Sequence, residues 1–333
     1  MRPAPSLSLL WPLLAAILLN VATLRADYRG ALALDASTGA VLIEENADTA
    51  SPPASVTKLM TFLVVHDAIV AGRVRLDTPI TATAADQAMG GTQVHLAAGE
   101  TFPVEELLYA LMVESANDAA HALTQILGGR EAFVAAMNAR ARSLGMNNTV
   151  FRSPHGLPPD SRRIEDGDLT TARDLALLSR ELLTHTDVLR YSSTRVRPFG
   201  AGVRTEPLPM RNHNKLLESR EPGSVPGCDG LKTGFTKAAG FCLAATAQRD
   251  GKRIIVTVMG SPDRRTRDAH VKRLIEEGLA KIPAGTVFQG PPTPITPVAA
   301  EATPIAPLPA ESAGTGAPDQ APPRVEFKLP SRR

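Results

Sequence analysis

The sequence predicts an α/β (α+β) fold, with an antiparallel sheet of about five strands flanked by helices. Two apolar runs, residues 31–35 and 40–44, flank Ser37-Thr38-Gly39 and read as a β-hairpin with glycine in the turn. Far along the chain, residues 230–235, 241–247 and 253–259 form three successive strand-like runs joined by short turns. Helical spacing dominates the stretches between and after them.

The chain has 333 residues, of which 43% are hydrophobic, enough for a substantial core and long enough for an enzyme. Lys plus Arg total 36 against 34 for Asp plus Glu, spread along the chain, which argues against an electrostatic grip on nucleic acid. Two cysteines, Cys228 and Cys242, are too few for a disulfide framework and lack metal-ligand spacing. Whether they pair stays open: with a turn near Thr236-Lys237 they fall several residues out of register.

The N-terminus has the layout of a secretory signal. Met1-Arg2 is basic, residues 9–19 are apolar, and small residues follow at Ala22 and Ala26, so cleavage is expected after Ala26. The alternative is an uncleaved anchor, although Asn20, Thr23 and Arg25 interrupt the apolar run. Either way the body, residues 27–285, is expected in the periplasm or extracytoplasmic envelope.

After the hairpin, Pro52-Pro53 leads into a helix predicted over residues 55–71. Leu59, Phe62, Leu63, His66, Ile69 and Val70 recur there at helical spacing, so the helix should be buried, with His66 a core or rim residue. Residues 77–99 lack a period and read as short strands and loops. Thr101 is the expected cap of a helix carrying Leu107, Leu108, Leu111 and Met112 on its apolar face. Glu114-Ser115-Ala116-Asn117-Asp118 interrupts that helix before helical character resumes over 119–127; buried polar groups of this kind are costly unless paired or used.

Further helices are predicted over 131–144 and 171–185, the second opened by Thr171-x-x-Asp174, which resembles a capping box. Residues 151–168, with Pro154, Gly156, Pro158 and Pro159, read as an ordered surface loop. Residues 191–209 are expected to be β-like with a turn at Gly200-Ala201-Gly202. His213 either lines a cleft or satisfies a loop. A last amphipathic helix is predicted over 265–281. Beyond Gly285 the composition turns to Pro, Ala, Thr and Glu, so residues 286–333 are expected to be a disordered tail.

Three short motifs carry the chemistry. In Ser55-Val56-Thr57-Lys58 a serine, a poor nucleophile by itself, has a candidate base three residues on and on the same helix face. Ser115-Ala116-Asn117 places two polar side chains between helices. Lys232-Thr233-Gly234 puts a cation and a glycine on a strand edge with which a substrate backbone can pair. Alone, each is common. In this order, on a helix start, an interhelical turn and a sheet edge, they are specific.

The chain resembles the D-alanyl-D-alanine carboxypeptidases, low-molecular-mass penicillin-binding proteins of the serine peptidase type. The resemblance runs over about residues 28–282. It includes Leu34-Asp35-Ala36-Ser37-Thr38-Gly39, Ser153-Pro154-His155-Gly156-Leu157, Thr171-Ala172-Arg173-Asp174 and Asp229-Gly230-Leu231-Lys232-Thr233-Gly234-Phe235-Thr236. It implies the fold shared by penicillin-binding proteins and serine β-lactamases, no cofactor and no metal. Peptidoglycan stem peptides are the implied substrates and β-lactams the implied inhibitors. By that resemblance Ser55 attacks the D-Ala-D-Ala carbonyl, with Lys58 as base and Ser115 and Asn117 handling the leaving amine. Backbone N–H groups of Ser55 and Phe235 take the oxyanion, and Lys232, Thr233 and Arg267 bind the terminal carboxylate.

Two departures from relatives narrow the expectation. The Pro-rich tail is too short and polar for the second β-rich domain or amphipathic anchor that many of them carry. Glu165-Asp166-Gly167-Asp168-Leu169 departs from the Glu-x-x-Leu-Asn loop with which class A β-lactamases deacylate, so efficient antibiotic hydrolysis is not expected. A D,D-endopeptidase, a β-lactamase and a non-catalytic penicillin sensor are the rival readings.

Overall fold

The computed structural model describes residues 27–220 and 222–291; the expected export signal and the tail beyond residue 291 lie outside the described residues. Strands β1 (Gly30–Asp35) and β2 (Val41–Glu45) form the first hairpin. A 3-10 turn, Ala54–Thr57, leads into α1 (Lys58–Val70). Next come β3 (Pro79–Thr81), the short α2 (Ala84–Gln87), β4 (Thr101–Pro103) and α3 (Val104–Tyr109). A π-helical turn, Ala110–Glu114, separates α3 from α4 (Asn117–Ala122). The helices α5 (Arg130–Ser143), α6 (Ala172–His185) and α7 (Val188–Ser192) precede the hairpin of β5 (Val196–Phe199) and β6 (Leu208–Arg211). The chain then forms β7 (Cys228–Thr236), β8 (Gly240–Arg249), β9 (Lys252–Ser261) and α8 (Arg264–Lys281).

The main sheet has five strands in the order β2-β1-β9-β8-β7, all antiparallel. The early hairpin joins the late strands through β1 and β9, with Gly30 opposite Met259 and Asp35 opposite Ile254. Side chains alternate between the two faces, as strand geometry requires. Leu32, Leu34, Ile255 and Met259 enter the core that contains α1 and α6, whereas Ala31, Ala33, Ile254, Val256 and Val258 meet Val271, Leu274 and Ile275 of α8. α1 is the hub of the first core: Leu59, Met60, Phe62, Leu63 and Val65 are all buried, so most of its circumference is packed.

The strand expectations hold to within a few residues, and four details differ. Ser55 sits in the 3-10 turn before α1 and not in the α-helix itself. Thr101 begins β4, paired with Thr81 of β3, so Pro103 precedes α3 instead. The stretch 119–127 is split between α4 and a 3-10 turn, Leu123–Leu127. Only half of the capping box forms: Thr171 Oγ1 accepts from Asp174 N at 3.0 Å, while Asp174 receives Asn148 N and Thr149 Oγ1. Cys228 lies opposite Ala247 and Cys242 opposite Gly234, at opposite ends of the β7–β8 pair, and both thiols are free and buried. Among the described residues no helix is long and apolar enough to cross a membrane.

Candidate active site

Ser55 and Lys58 are brought together by the 3-10 turn. In that geometry residues i and i+3 eclipse one another, a closer alignment than the α-helix gives. Lys58 Nζ lies 3.1 Å from Ser55 Oγ, 2.6 Å from Asn117 Oδ1 and 2.9 Å from the His155 carbonyl oxygen. Lys58 is 0% exposed. Burial pulls its pKa well below the usual ammonium range; the charge of Lys232 acts in the same direction, and the carboxylates of Asp168 and Asp118 oppose it.

Asn117 is positioned by an unusual stretch of backbone. The π turn ends at Ser115 in the left-handed region, φ 71°, which costs a non-glycine residue on the order of 1–3 kcal/mol and persists only where surroundings enforce it. Here the enforcement is a hydrogen bond from Ala116 N to Ala110 O at 3.0 Å and one from Asn117 N to Thr92 O at 2.8 Å. Asn117 Nδ2 donates to Gly90 O at 2.8 Å, which fixes the amide with Oδ1 toward Lys58. The next residue, Asp118, is fully buried and accepts from Val94 N and Leu96 N, so the 90–96 segment is anchored to the start of α4.

β7 is the edge strand on the other side of the serine. At Gly234 an added Cβ would meet Pro53 O at 2.6 Å and Ser55 N at 3.1 Å, so only glycine lets the strand approach the turn this closely. Lys232 is buried behind it and donates from Nζ to Thr233 O at 3.0 Å. Burial, reinforced by the Arg267 charge and opposed by Glu114, pushes its pKa down to about 7. Arg267 lies in the first turn of α8, with its guanidinium on Asp268 Oδ1 at 2.6 Å and Cys242 O at 3.5 Å.

Ser55, Ser115, Thr233, Gly234, Phe235 and Arg267 line one cleft of about 200 Å³. Lys58 backs the cleft through its contact with Ser55, Asn117 contacts Lys58 in turn, and Lys232 is buried beside Thr233 without lining the cleft. Phe235 is half exposed and stacks on Phe241 at 4.2 Å between ring centroids. Thr92, His213, Phe241 and Arg264 also line the cleft. Thr92 and Arg264 lacked any sequence signal, one in a stretch without a period and the other among surface arginines. The His155 and Gly90 carbonyls are invisible to side-chain patterns, although His155 belongs to a segment that carries the family resemblance. Among the described residues no group of three His, Cys, Asp or Glu side chains is placed to hold a metal ion.

The sequence profile of a family described as D-alanyl-D-alanine carboxypeptidase matches residues 20–263. D-alanyl-D-alanine carboxypeptidase DacF of Bacillus subtilis is 31% identical over 251 residues, covering 75% of this chain and 61% of that protein. The D-alanyl-D-alanine endopeptidase of Escherichia coli K12 is 33% identical over 262 residues, covering 77% of this chain and 80% of that protein. The chain thus spans about 61% of the length of the first of these relatives. Among solved structures, penicillin-binding protein D2 of Listeria monocytogenes in its ampicillin-bound form superposes with a TM-score of 0.67 at 33% identity, covering 77% of this chain and 98% of that one. A profile that spans the sheet and all three motifs, with relatives agreeing over the same unit, makes the chain a member of the D-alanyl-D-alanine carboxypeptidase family.

Proposed function

We propose that this protein is a serine-type D-Ala-D-Ala carboxypeptidase that removes the terminal D-alanine from peptidoglycan stem peptides. The observation that carries the reading is the coordination of Lys58. A neutral amine has two N–H bonds and one lone pair. The Asn117 and His155 oxygens, at 2.6 and 2.9 Å, accept the two N–H bonds, which leaves the lone pair for the Ser55 hydroxyl at 3.1 Å.

In the first step Ser55 Oγ gives its proton to Lys58 and bonds to the carbonyl carbon of the penultimate D-alanine. The carbonyl oxygen takes up the charge and accepts from the backbone N–H groups of Ser55 and Phe235. As the intermediate collapses, the amide bond breaks and the proton passes by way of Lys58 and Ser115 to the amine of the leaving D-alanine. Its free carboxylate is held by Thr233, Arg267 and the positive charge of Lys232. Water then attacks the ester on Ser55, giving the shortened peptide and the free serine. β-Lactams enter the same first step and acylate Ser55, in keeping with the ampicillin-bound relative.

This reading assigns residues 27–285 as the catalytic domain, acting outside the cytoplasm where stem peptides are found. A second reading, D,D-endopeptidase action on cross-links, draws support from the Escherichia coli relative of that name. Both are tested together. The protein is incubated with diacetyl-Lys-D-Ala-D-Ala and, separately, with cross-linked muropeptides, while fluorescent penicillin reports acylation. D-Alanine release and penicillin labelling that disappear in Ser55→Ala are expected; equal labelling and release in both proteins overturn the mechanism. Cleavage of cross-links in preference to the tripeptide selects the second reading.

A further inference from the structure

The segment 151–168 enters the chemistry above only through one backbone atom, the His155 carbonyl, one of the three groups around Lys58. The side chain that gathers most hydrogen bonds from this segment is Asp168. Its buried carboxylate accepts from four donors: Arg152 N at 2.6 Å and Ser153 N at 2.9 Å on Oδ1, Ser153 Oγ at 3.0 Å and Thr57 Oγ1 at 2.8 Å on Oδ2. Thr57 belongs to the turn between Ser55 and Lys58. Ser153 Oγ also accepts from Gly156 N at 2.9 Å, and Pro154 O accepts from Thr61 Oγ1 of α1 at 2.5 Å.

At Gly156, φ 81°, an added Cβ would lie 2.0 Å from Ala54 O, so the segment is packed directly on the serine turn. One carboxylate therefore ties both sides together, two residues from the His155 carbonyl on one side and one residue from Lys58 on the other. Burial pushes the Asp168 pKa above the usual carboxylate range, and the four converging donors oppose that push by favouring the ionised form.

We propose that Asp168 is a positioning residue for acylation: its carboxylate clamps residues 153–156 onto the turn that carries Ser55, through Thr57, and so sets the His155 carbonyl on Lys58 Nζ. The inference rests on the reading of Lys58 as the base for Ser55. It has an electrostatic consequence as well. The titratable groups facing Lys58 are Lys232 from β7, Asp118 from α4, and Asp168 and His155 from the clamped segment. Burial and the Lys58 charge hold His155 down to about 3, so it is neutral and contributes its carbonyl, not a charge.

The test measures the acylation rate by fluorescent penicillin against pH for the full chain, with Asp168→Asn, Thr57→Val, Thr57→Ser and Ser55→Ala, and thermal melting for each. Asp168→Asn is expected to lower the plateau rate about 100-fold, the scale of a small misplacement of a catalytic group. It also removes an anion and loosens a carbonyl acceptor, both of which favour ammonium; Lys58 then loses its proton more easily, and the acid limb moves to lower pH. Thr57→Val lowers the plateau, and Thr57→Ser, which keeps the hydroxyl, restores it. A lower melting temperature with the wild-type plateau and limb in Asp168→Asn overturns the proposal, leaving a purely structural clasp. Should Asp168→Asn fail to fold, wild-type acylation in Thr57→Val overturns it just the same. Labelling that persists in Ser55→Ala is a different failure, that of the underlying reading.

Discussion

Gly234 and Ser55 are in backbone contact: the position a Cβ would take on Gly234 is 3.1 Å from the Ser55 nitrogen and 2.6 Å from the Pro53 carbonyl oxygen. This approach joins two parts of the chain that are remote in sequence, the turn before α1 and the edge strand β7. It sets the width of the cleft between the serine and Thr233, because the turn is fixed to α1 and the strand is fixed by its pairing with β8. The glycine of the third motif is thus a spacing element, and in the proposed mechanism its neighbours Lys232 and Thr233 hold the substrate carboxylate.

Gly234→Ala should therefore disturb catalysis more than folding. The added methyl has to push the turn or the strand apart, since the opposing atoms are backbone and cannot rotate away. A shift approaching 1 Å at a catalytic group costs about 100-fold in rate. Penicillin acylation and D-alanine release should fall on that scale, with melting lowered by only a few degrees; a wild-type acylation rate would show that the contact does not set the cleft.

Lys232→Ala should act at a distance on Lys58. The Lys232 charge, after burial, is what lowers the pKa of Lys58. Without it the Lys58 pKa rises, the neutral fraction at a given pH falls, and the acid limb of acylation moves to higher pH. In the wild type, Lys232 itself loses its proton as pH rises through about 7, so KM for a peptide with a free terminal carboxylate should climb above that pH. Rate-against-pH profiles for penicillin and for diacetyl-Lys-D-Ala-D-Ala check both statements.

The sequence makes the sheet readable because β1, β2, β7, β8 and β9 combine β-rich apolar runs with tight glycine turns, signals that are local. Ser55 and Lys58 are legible for the same reason: four consecutive residues contain both. Asn117 could be placed only as a polar residue between helices, since its role depends on the π turn and on Ser115 at positive φ, neither of which has a side-chain period. Thr101 reads as a cap because a threonine before two glutamates has that chemistry, whereas its pairing with Thr81 across 20 residues is a tertiary choice. The His155 carbonyl and the Asp168 clamp lie further out of reach. One is a backbone atom, and the other acquires meaning only when residues 57 and 168, separated by 111 positions, fold together.

Thr171→Val tests a local feature that was legible. Thr171 Oγ1 caps α6 by accepting from Asp174 N, and the residue is fully buried. Valine preserves the shape but leaves that N–H without its partner, at a cost of about 1 kcal/mol. Melting should drop by roughly 2–4 °C for a domain of this size. Penicillin acylation of the folded protein should be unchanged, because α6 touches no cleft-lining residue through this cap; a large loss of rate would mean that the cap is coupled to the site through the neighbouring 149–170 segment.

Asn117→Asp should convert the base into an ammonium. The native amide can satisfy both neighbours: Oδ1 accepts from Lys58 and Nδ2 donates to the Gly90 carbonyl. A carboxylate keeps the first contact but faces the Gly90 oxygen with a second acceptor, so it repels that carbonyl and concentrates negative charge 2.6 Å from Nζ. An opposite charge this close favours protonated Lys58 and raises its pKa. The lone pair that faced Ser55 is then occupied, and acylation near neutral pH should fall about tenfold for each unit of that rise. The diagnostic is recovery: the deficit should shrink as pH rises toward the new Lys58 pKa, as a loss caused by misfolding would not. Asn117→Ala, which removes the acceptor without adding charge, should show a reduced rate at every pH and an acid limb displaced to lower pH. If the two variants have superimposable pH profiles, the charge at residue 117 does not control the protonation of Lys58.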